Sequence, residues 1–93
     1  MKYSLTIMGK FKKTFKLARK RGLDVDLLNQ IVNKLQKGET LDEKYCDHAL
    51  SGEYKGHREC HIQPDWLLIY RINEEDLILI LVATGTHLDL FKK

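Results

Sequence analysis

The spacing of apolar residues in the first third of the chain predicts one strand and two helices. Residues Tyr3 to Met8 alternate between apolar and polar side chains, which predicts a strand with one buried face. Apolar residues then recur every three or four positions, and this period predicts helices over Lys10 to Arg21 and Val25 to Lys37, each followed by a glycine. Asp24 or Asp26 is the expected N-cap of the second helix. The two amphipathic helices should form a hairpin whose apolar side packs on a sheet.

The second half of the chain contains three short apolar segments that predict strands. They span Arg58 to Gln63, Trp66 to Ile72 and Leu77 to Thr84, and short polar turns separate them. Such short connections make neighbouring strands antiparallel. A further short strand is a candidate at Glu53 to Lys55, in an otherwise irregular polar region. Thr86 is the expected cap of a single helical turn near the C-terminus.

The chain is therefore predicted to form a single α+β domain over residues 1–93. Its expected architecture is an N-terminal strand, a two-helix hairpin, an antiparallel sheet of three to four strands and a short C-terminal helical turn. The strands that begin at Trp66 and Leu77 are apolar on both faces, so both faces should be covered. Two helices cover only one face, and we expect the other face to meet a partner.

The predicted connectivity brings several polar side chains to one end of the sheet. The turn at Pro64 and Asp65 and the segment that ends at His87 follow strands that run in the same direction, so both should emerge at the same end. His61 lies only a few residues before that turn. His61, Asp65, Trp66 and His87 are therefore expected around one rim.

Charge is distributed unevenly along the chain. Residues 1–22 contain eight Lys or Arg and no acidic residue, whereas residues 23–93 contain eight Lys or Arg and thirteen Asp or Glu. A concentrated positive surface suits a polyanion such as RNA, although a solvated helix face would have the same composition. The charge pattern alone leaves both interpretations open.

Composition also indicates a cellular compartment. The sequence contains no apolar run of membrane-spanning length, and lysines from Lys2 onward do not fit a signal peptide. Two cysteines, Cys46 and Cys60, are too few for a disulfide framework. We therefore expect a cytoplasmic protein with no membrane partner.

The residues expected around the rim suit RNA cleavage. RNA carries its own nucleophile, the 2′-hydroxyl, so cleavage needs a base, an acid and positive charge at the phosphate. Histidine suits proton transfer near neutral pH, and a carboxylate can orient or replace it. Arg58 and nearby lysines could stabilise the added charge, and Trp66 and Phe91 offer flat faces to a base. Each residue also has a plainer interpretation, as a packed histidine, a core aromatic or a turn aspartate. The candidates for proton transfer are His48, His61, Asp65 and His87.

Cys46, His48, Cys60 and His61 are the residue types that bind zinc. Their spacing matches no usual zinc pattern, and adjacent residues of a strand point to opposite faces. Glycine-rich phosphate loops are absent from the sequence. We therefore expect neither a metal nor a cofactor.

Four segments closely resemble the YafQ-type toxins of the RelE/ParE superfamily. They are Asp47 to Gly52, Tyr54 to Ile62, Pro64 to Tyr70 and Thr84 to Phe91, in the family's order and with near-identical spacing. The resemblance implies a bacterial type II toxin, an endoribonuclease that cuts mRNA in the ribosomal A site without a metal. It also implies a RelE/ParE-like fold of a small sheet packed on two helices.

The resemblance further assigns partners and site residues. The implied partners are the 70S ribosome with its mRNA and a cognate antitoxin, and operator DNA is contacted only through the antitoxin complex. His87 is the implied general acid, and Arg58 contacts phosphate. The implied catalytic set is His48, His61, Asp65 and His87, and the implied RNA-binding residues are Trp66, Phe91, Lys55 and, on the basic helix, Lys12, Lys13, Lys16, Arg19 and Lys20.

One position departs from the family pattern. Relatives commonly carry an arginine where this chain has Ala83, so either another cation stabilises the transition state, with Arg58, Lys55 and Arg71 as candidates, or the enzyme is slower. An alternative function is that of the non-catalytic relatives on this fold that bind a protein target such as gyrase. Those relatives generally lack the histidine set. A plain RNA-binding regulator is a third alternative.

Overall fold

A mixed five-stranded sheet forms the centre of the protein in the computed structural model, which describes residues 1–91. The strands lie in the spatial order β1-β5-β4-β3-β2. Their bounds are β1 Ser4–Ile7, β2 His48–Ala49, β3 Arg58–Gln63, β4 Trp66–Asn73 and β5 Ile78–Gly85. The helices are α1 Gly9–Lys20, α2 Val25–Gln36 and α3 His87–Phe91.

The two predicted hairpins are confirmed. Strand β3 pairs antiparallel with β4, and β4 pairs antiparallel with β5. Strand β1 joins the sheet next to β5 but runs parallel to it, so the sheet is mixed rather than wholly antiparallel. The end of β1 therefore lies at the same end of the sheet as Gly85, and α1 begins there.

The prediction that β1 buries one face is wrong. Leu5 and Ile7 are 39% and 41% exposed, because β1 is an edge strand that the neighbouring elements cover only partly. The alternation of side chains is real, but it reports which residues share a face and not whether that face is covered.

Both predicted helices are present within one residue of the expected ends. The Asp24 side chain accepts a hydrogen bond from the Asp26 N–H at 3.0 Å, so Asp24 is the cap of α2. Gly22 ends the first helix with φ +80°, a conformation that glycine adopts without strain. The helices pack on one face of the sheet through Phe11, Ala18, Leu28, Ile31, Val32 and Leu35.

The second face of the sheet is covered by the chain itself, so the expectation that a partner must cover it is wrong. Leu67, Ile69 and Ala83 of the sheet pack against Leu90 of α3 in a second buried cluster. The partly buried residues Leu50, Tyr54, Val82 and Phe91 complete this cluster. The irregular region before β3 therefore acts as a cover for the sheet.

That irregular region contains 3₁₀ turns at Glu43–Tyr45 and Gly52–Tyr54, separated by the two-residue strand β2. The predicted strand at Glu53 to Lys55 is therefore wrong, and the fourth antiparallel strand is His48–Ala49 instead. Among residues 1–91, no helix is both long enough and apolar enough to cross a membrane.

Candidate functional site

His61 and His87 lie side by side at the end of the sheet, as the hairpin connectivity predicted. Their ring centroids are 5.6 Å apart in an edge-to-face arrangement. His61 comes from β3, and His87 is the first residue of α3. The two imidazoles are 26 residues apart in sequence, and the turn after β3 and the end of β5 bring them together.

Asp65 holds the imidazole of His87. Its carboxylate Oδ1 accepts hydrogen bonds from the backbone N–H of His87 at 3.4 Å and from Nδ1 at 3.2 Å. Because a carboxylate accepts, Nδ1 carries the hydrogen, and Nε2 is the nitrogen left to exchange a proton. The α3 turn has the predicted cap, since the Thr86 hydroxyl accepts from the Asp89 N–H at 3.1 Å.

Glu59 is a site residue that the sequence analysis missed. Its carboxylate is buried, and Oε1 lies 3.5 Å from Nε2 of both His48 and His61. The rings of these two histidines are 6.5 Å apart. Glu59 is two residues before His61 on one strand, so the alternation of strand side chains already placed both on one face.

His48 is positioned by the residues before it. The Asp47 carboxylate accepts hydrogen bonds from the Tyr70 hydroxyl at 2.6 Å and from Arg58 Nε at 3.3 Å. Burial, followed by the bond to Asp47, holds the pKa of Tyr70 far above its usual value, so its hydroxyl stays a donor. Nδ1 of His48 faces the Cys46 carbonyl at 2.7 Å and therefore carries a hydrogen, which leaves Nε2 to exchange protons.

Arg58 does not point to the same face of the sheet as Glu59 and His61, and its contact with phosphate stays a prediction. In β3, Arg58 is opposite Tyr70 and shares the helix-covered face, whereas Glu59 and His61 point to the other face. Its guanidinium is bonded to Asp47. Arg58 therefore supports the segment that carries His48.

Trp66 does not offer an exposed face to a base in this structure, and its role in holding RNA stays a prediction. The side chain is only 2% exposed, and its Nε1–H donates to the Thr84 hydroxyl at 2.9 Å. Thr84 in turn donates to the Leu67 carbonyl at 2.7 Å. Trp66 is thus a core residue that joins β4 to β5 directly beneath the site.

Aromatic residues instead line one side of the cleft. The Phe91 ring lies 6.3 Å from the His87 ring and 5.8 Å from the ring of Tyr54. Lys10, at the start of α1, donates to the Tyr54 hydroxyl at 2.9 Å and lies over its ring. Tyr54 and Lys10 were not predicted, because only the fold brings α1 and the 3₁₀ turn to this place.

The other proposed replacements for the family arginine also lie elsewhere. Position 83 carries no charge because it is an alanine, and Ala83 is fully buried against Leu67 and Leu90. Lys55 and Arg71 line a shallow depression that they share with Glu74 and Glu75, at the end of the sheet opposite the Pro64 and Asp65 turn. Neither lines the histidine cleft, so neither is placed to replace the family arginine there, and the contact of Lys55 with RNA stays a prediction.

The basic residues predicted on the first helix are all exposed. Arg19, Lys20, Lys12, Lys13 and Lys16 project from α1, and three of them, Lys16, Arg19 and Lys20, line one shallow depression. The first turn of α1 contains no acidic residue. The helix therefore presents a continuous cationic surface.

One group of side chains in residues 1–91 has the geometry to hold a cation. Ligand atoms of Glu59, His61 and His87 lie within 4.8 Å of one another. The cysteines do not join this group. Cys60 is buried on the other face, and desolvation raises the pKa of its thiol to about 12, so it does not offer a thiolate.

Comparison with known proteins agrees with this fold. Residues 3–92 match the family described as bacterial toxin of type II toxin-antitoxin system, YafQ. The chain is 40% identical over 84 residues to the mRNA interferase toxin YafQ of Escherichia coli K12, which covers 89% of each chain. A metal-bound toxin from Helicobacter pylori is 40% identical, with a TM-score of 0.90 over 96% of this chain and 99% of that one. The E. coli DinJ-YafQ toxin-antitoxin complex gives 37% identity and a TM-score of 0.87 over 98% and 99% of the chains.

The sheet, the helical hairpin and the histidine cleft define a small α+β toxin fold. The chain belongs to the YafQ family of toxins of bacterial type II toxin-antitoxin systems.

Proposed function

We propose that this protein is an endoribonuclease that cuts mRNA in the ribosomal A site during translation. The observation that carries the proposal is the convergence of His48, His61 and His87 with Asp65 at one end of the sheet. The E. coli relative is named an mRNA interferase, which supports the same activity. The gyrase-type alternative does not require this group of proton-transfer residues.

The reaction is an attack of the 2′-hydroxyl on the neighbouring phosphate. A base removes the 2′-hydroxyl proton, the oxygen attacks phosphorus, and the bond to the 5′-oxygen breaks. The leaving oxygen receives a proton from an acid, which leaves a 2′,3′-cyclic phosphate and a 5′-hydroxyl. His87 is the acid, because Asp65 holds its Nδ1 and leaves Nε2 for the leaving group.

The spacing of the imidazoles favours His48 as the base. Base and acid each sit within about 3 Å of oxygens on opposite sides of phosphorus, so their nitrogens lie roughly 6 Å or more apart. Ligand nitrogens of His61 and His87 are within 4.8 Å, which is too close for that pair. His61 therefore lies under the phosphate, and the Glu59 charge stabilises the imidazolium that forms on His48.

The aromatic side of the cleft and the basic helix hold the RNA. Phe91 offers a face for an unpaired base, a contact worth about 1–3 kcal/mol. Lys10, next to Tyr54, places a positive charge on the same side. The cationic surface of α1 contacts ribosomal RNA, and several phosphate contacts make binding steeply dependent on salt.

A cognate antitoxin is the protein partner that the family relationship supports. The E. coli relative is found in a toxin-antitoxin complex with DinJ. The excess of basic residues in α1 suits an acidic partner that competes with RNA. Operator DNA is contacted only through that complex.

The proposed reaction uses no metal, because imidazoles carry out both proton transfers. The H. pylori relative is named a metal-bound toxin. A divalent cation held by Glu59, His61 and His87 would bind the imidazole lone pairs and neutralise the carboxylate charge that the reaction uses. Metal binding at this site would inhibit cleavage.

Primer extension on a message translated by purified ribosomes tests the proposal. The wild-type protein should create new 3′ ends within codons in the A site, and His87→Ala should create none. Lys34→Gln, which removes an exposed charge from α2, is the control. Intact mRNA with the wild-type protein, together with arrested growth and DNA damage, would favour a gyrase-type target instead.

A further inference from the structure

The helix that carries His87 is too short to hold its own position. α3 has five residues, and isolated helices of this length are unstable because nucleation is costly. Leu90 is buried and Phe91 packs on Tyr54, but both anchors lie at the C-terminal end of α3. The N-terminal turn, where His87 lies, needs a different anchor.

Asp65 bonds the backbone N–H of His87, and an ion pair between α1 and α3 is the second anchor of this turn. Arg21 Nη1 donates to Asp89 Oδ2 at 2.6 Å, and Nη2 donates to Oδ1 at 3.3 Å. Asp89 Oδ2 also accepts from the Thr86 N–H at 3.0 Å, while the Thr86 hydroxyl accepts from the Asp89 N–H. One carboxylate thus caps α3 and ties it to the core helix.

Gly85, which has no side chain, leaves room for this carboxylate. A side chain at Gly85 would place its Cβ 3.1 Å from Asp89 Cβ and 3.0 Å from Oδ2, which is closer than ordinary contacts. His87 lies between the two residues of the cap, Thr86 and Asp89. The direction of its imidazole therefore depends on how firmly Asp89 is held.

Arg21 follows a helix that packs against the sheet. It is the C-cap of α1, and its backbone N–H bonds to Leu17 of that helix. Phe11 and Ala18 bury the helix against the sheet. The hydrogen bond from Arg21, followed by that from Thr86, holds the pKa of Asp89 at about 2, so the pair is ionised at neutral pH.

We propose that Arg21 is a positioning residue for His87, which it orients toward Asp65 and His61 by clamping Asp89 and the first turn of α3. The inference rests on the proposed nuclease function, because it assigns a consequence for cleavage. The competing interpretation is that Arg21 is simply one more RNA contact beside Arg19 and Lys20. If Arg21 is a positioning residue, the effect of substituting it on cleavage depends on Asp89. If Arg21 is an RNA contact, that effect does not depend on Asp89.

A double-mutant cycle in the ribosome-dependent cleavage assay separates them. Arg21→Gln should lower kcat by roughly fivefold, a typical coupling for groups in direct contact, with a smaller effect on KM for the ribosome. The same substitution should have no further effect in an Asp89→Asn background. Arg21→Lys should be intermediate, because an ammonium keeps the charge but not the two-pronged bond. Lys34→Gln, which removes an exposed charge from α2, is the control.

Equal losses from Arg21→Gln in both backgrounds, or a change in KM alone, would overturn the proposal in favour of an RNA contact. Thermal unfolding of each variant, measured alongside, identifies losses that come from unfolding. Lys34→Gln should leave both parameters near the wild-type values.

Amide hydrogen exchange tests the clamp without relying on activity. In Arg21→Gln the N–H groups of Thr86 and His87 should exchange faster and shift in NMR spectra, whereas in Lys34→Gln they should not. Unchanged exchange would overturn the clamp even if cleavage fell. A wild-type protein that cuts no mRNA but shows this exchange pattern would overturn the nuclease proposal and leave the clamp intact.

Discussion

The Asp65 carboxylate accepts two hydrogen bonds from one residue, His87, through its backbone N–H at 3.4 Å and its imidazole Nδ1 at 3.2 Å. The same oxygen therefore fixes where α3 begins and which ring nitrogen carries the hydrogen. Turn residues commonly bond their own backbone. Here the Asp65 carboxylate instead bonds His87, which follows another strand, and determines which ring nitrogen of His87 carries the hydrogen.

Asp65→Asn should reduce cleavage more than it reduces stability. The amide lacks the negative charge that favours the correct tautomer of His87, so kcat should fall by about tenfold, less than the roughly 10²–10⁴-fold expected for loss of a general acid. Because the Asp65 side chain is 71% exposed, the free energy of unfolding should change by less than about 0.5 kcal/mol. Single-turnover cleavage and urea unfolding measure the two quantities. Full activity in this variant would contradict the role of Asp65.

Trp66→Phe tests whether the indole is a core residue. The substitution removes buried volume and the bond to Thr84, so the free energy of unfolding should fall by about 1–3 kcal/mol. The affinity of the folded protein for a short single-stranded RNA should stay the same. Urea unfolding and fluorescence anisotropy measure these effects. Weaker RNA binding at unchanged stability would restore the stacking role that the sequence suggested.

Zinc or copper ions should inhibit cleavage, and a chelator alone should not. The ions would bind Glu59, His61 and His87, whose ligand atoms are already within 4.8 Å of one another. Adding the chelator after the metal should restore the rate. The metal affinity of Glu59→Gln, measured by calorimetry, should fall because a neutral amide replaces a carboxylate ligand. Loss of activity in chelator alone would show that the reaction needs a metal.

The Arg21 and Asp89 pair should make stability depend on acid pH in a defined direction. The pKa of Asp89 is lowered from 3.8 to about 2, first by its bond to Arg21. The unfolded chain therefore takes up the proton at higher pH than the folded chain does. The contribution of the pair to the free energy of unfolding should be complete above about pH 4 and should disappear as the pH falls toward 2.

The difference in free energy of unfolding between wild type and Arg21→Gln should show the same dependence on pH. Urea unfolding at a series of pH values measures it, and Lys34→Gln is again the reference. A difference that stays constant from neutral pH to pH 2 would show that Arg21 stabilises the protein by packing and not by its charge.

The elements of this protein could be predicted from sequence because their signals are local. Helical spacing with an Asp cap located α2, and short turns located the β3–β4 and β4–β5 hairpins. These hairpins also determined that His61 and His87 would meet, since two antiparallel reversals return the chain to the same end. The resemblance of four segments to a toxin family gave the class of protein.

The covering of surfaces could not be predicted in the same way. The side chains of β1 alternate as the sequence predicts, yet Leu5 and Ile7 are exposed because β1 is an edge strand. Trp66 is the first residue of an apolar strand whether its side chain is buried or exposed. Only the packing of Thr84 and the helices against the side chain decides that it is buried. The second sheet face is covered by a 3₁₀ turn and α3, whose short segments carry weak periodicity.

The sequence by itself determined the order of elements, their pairing and the end of the sheet at which the histidines gather. The tertiary structure alone decided which charges reach that end. It left Lys55 and Arg71 at the far end, brought Lys10 to the Tyr54 side of the cleft, and joined Arg21 to Asp89 of the helix that carries His87. The reason is physical: strand and helix periods act over a few residues, whereas burial and ion pairing depend on contacts between segments distant in sequence.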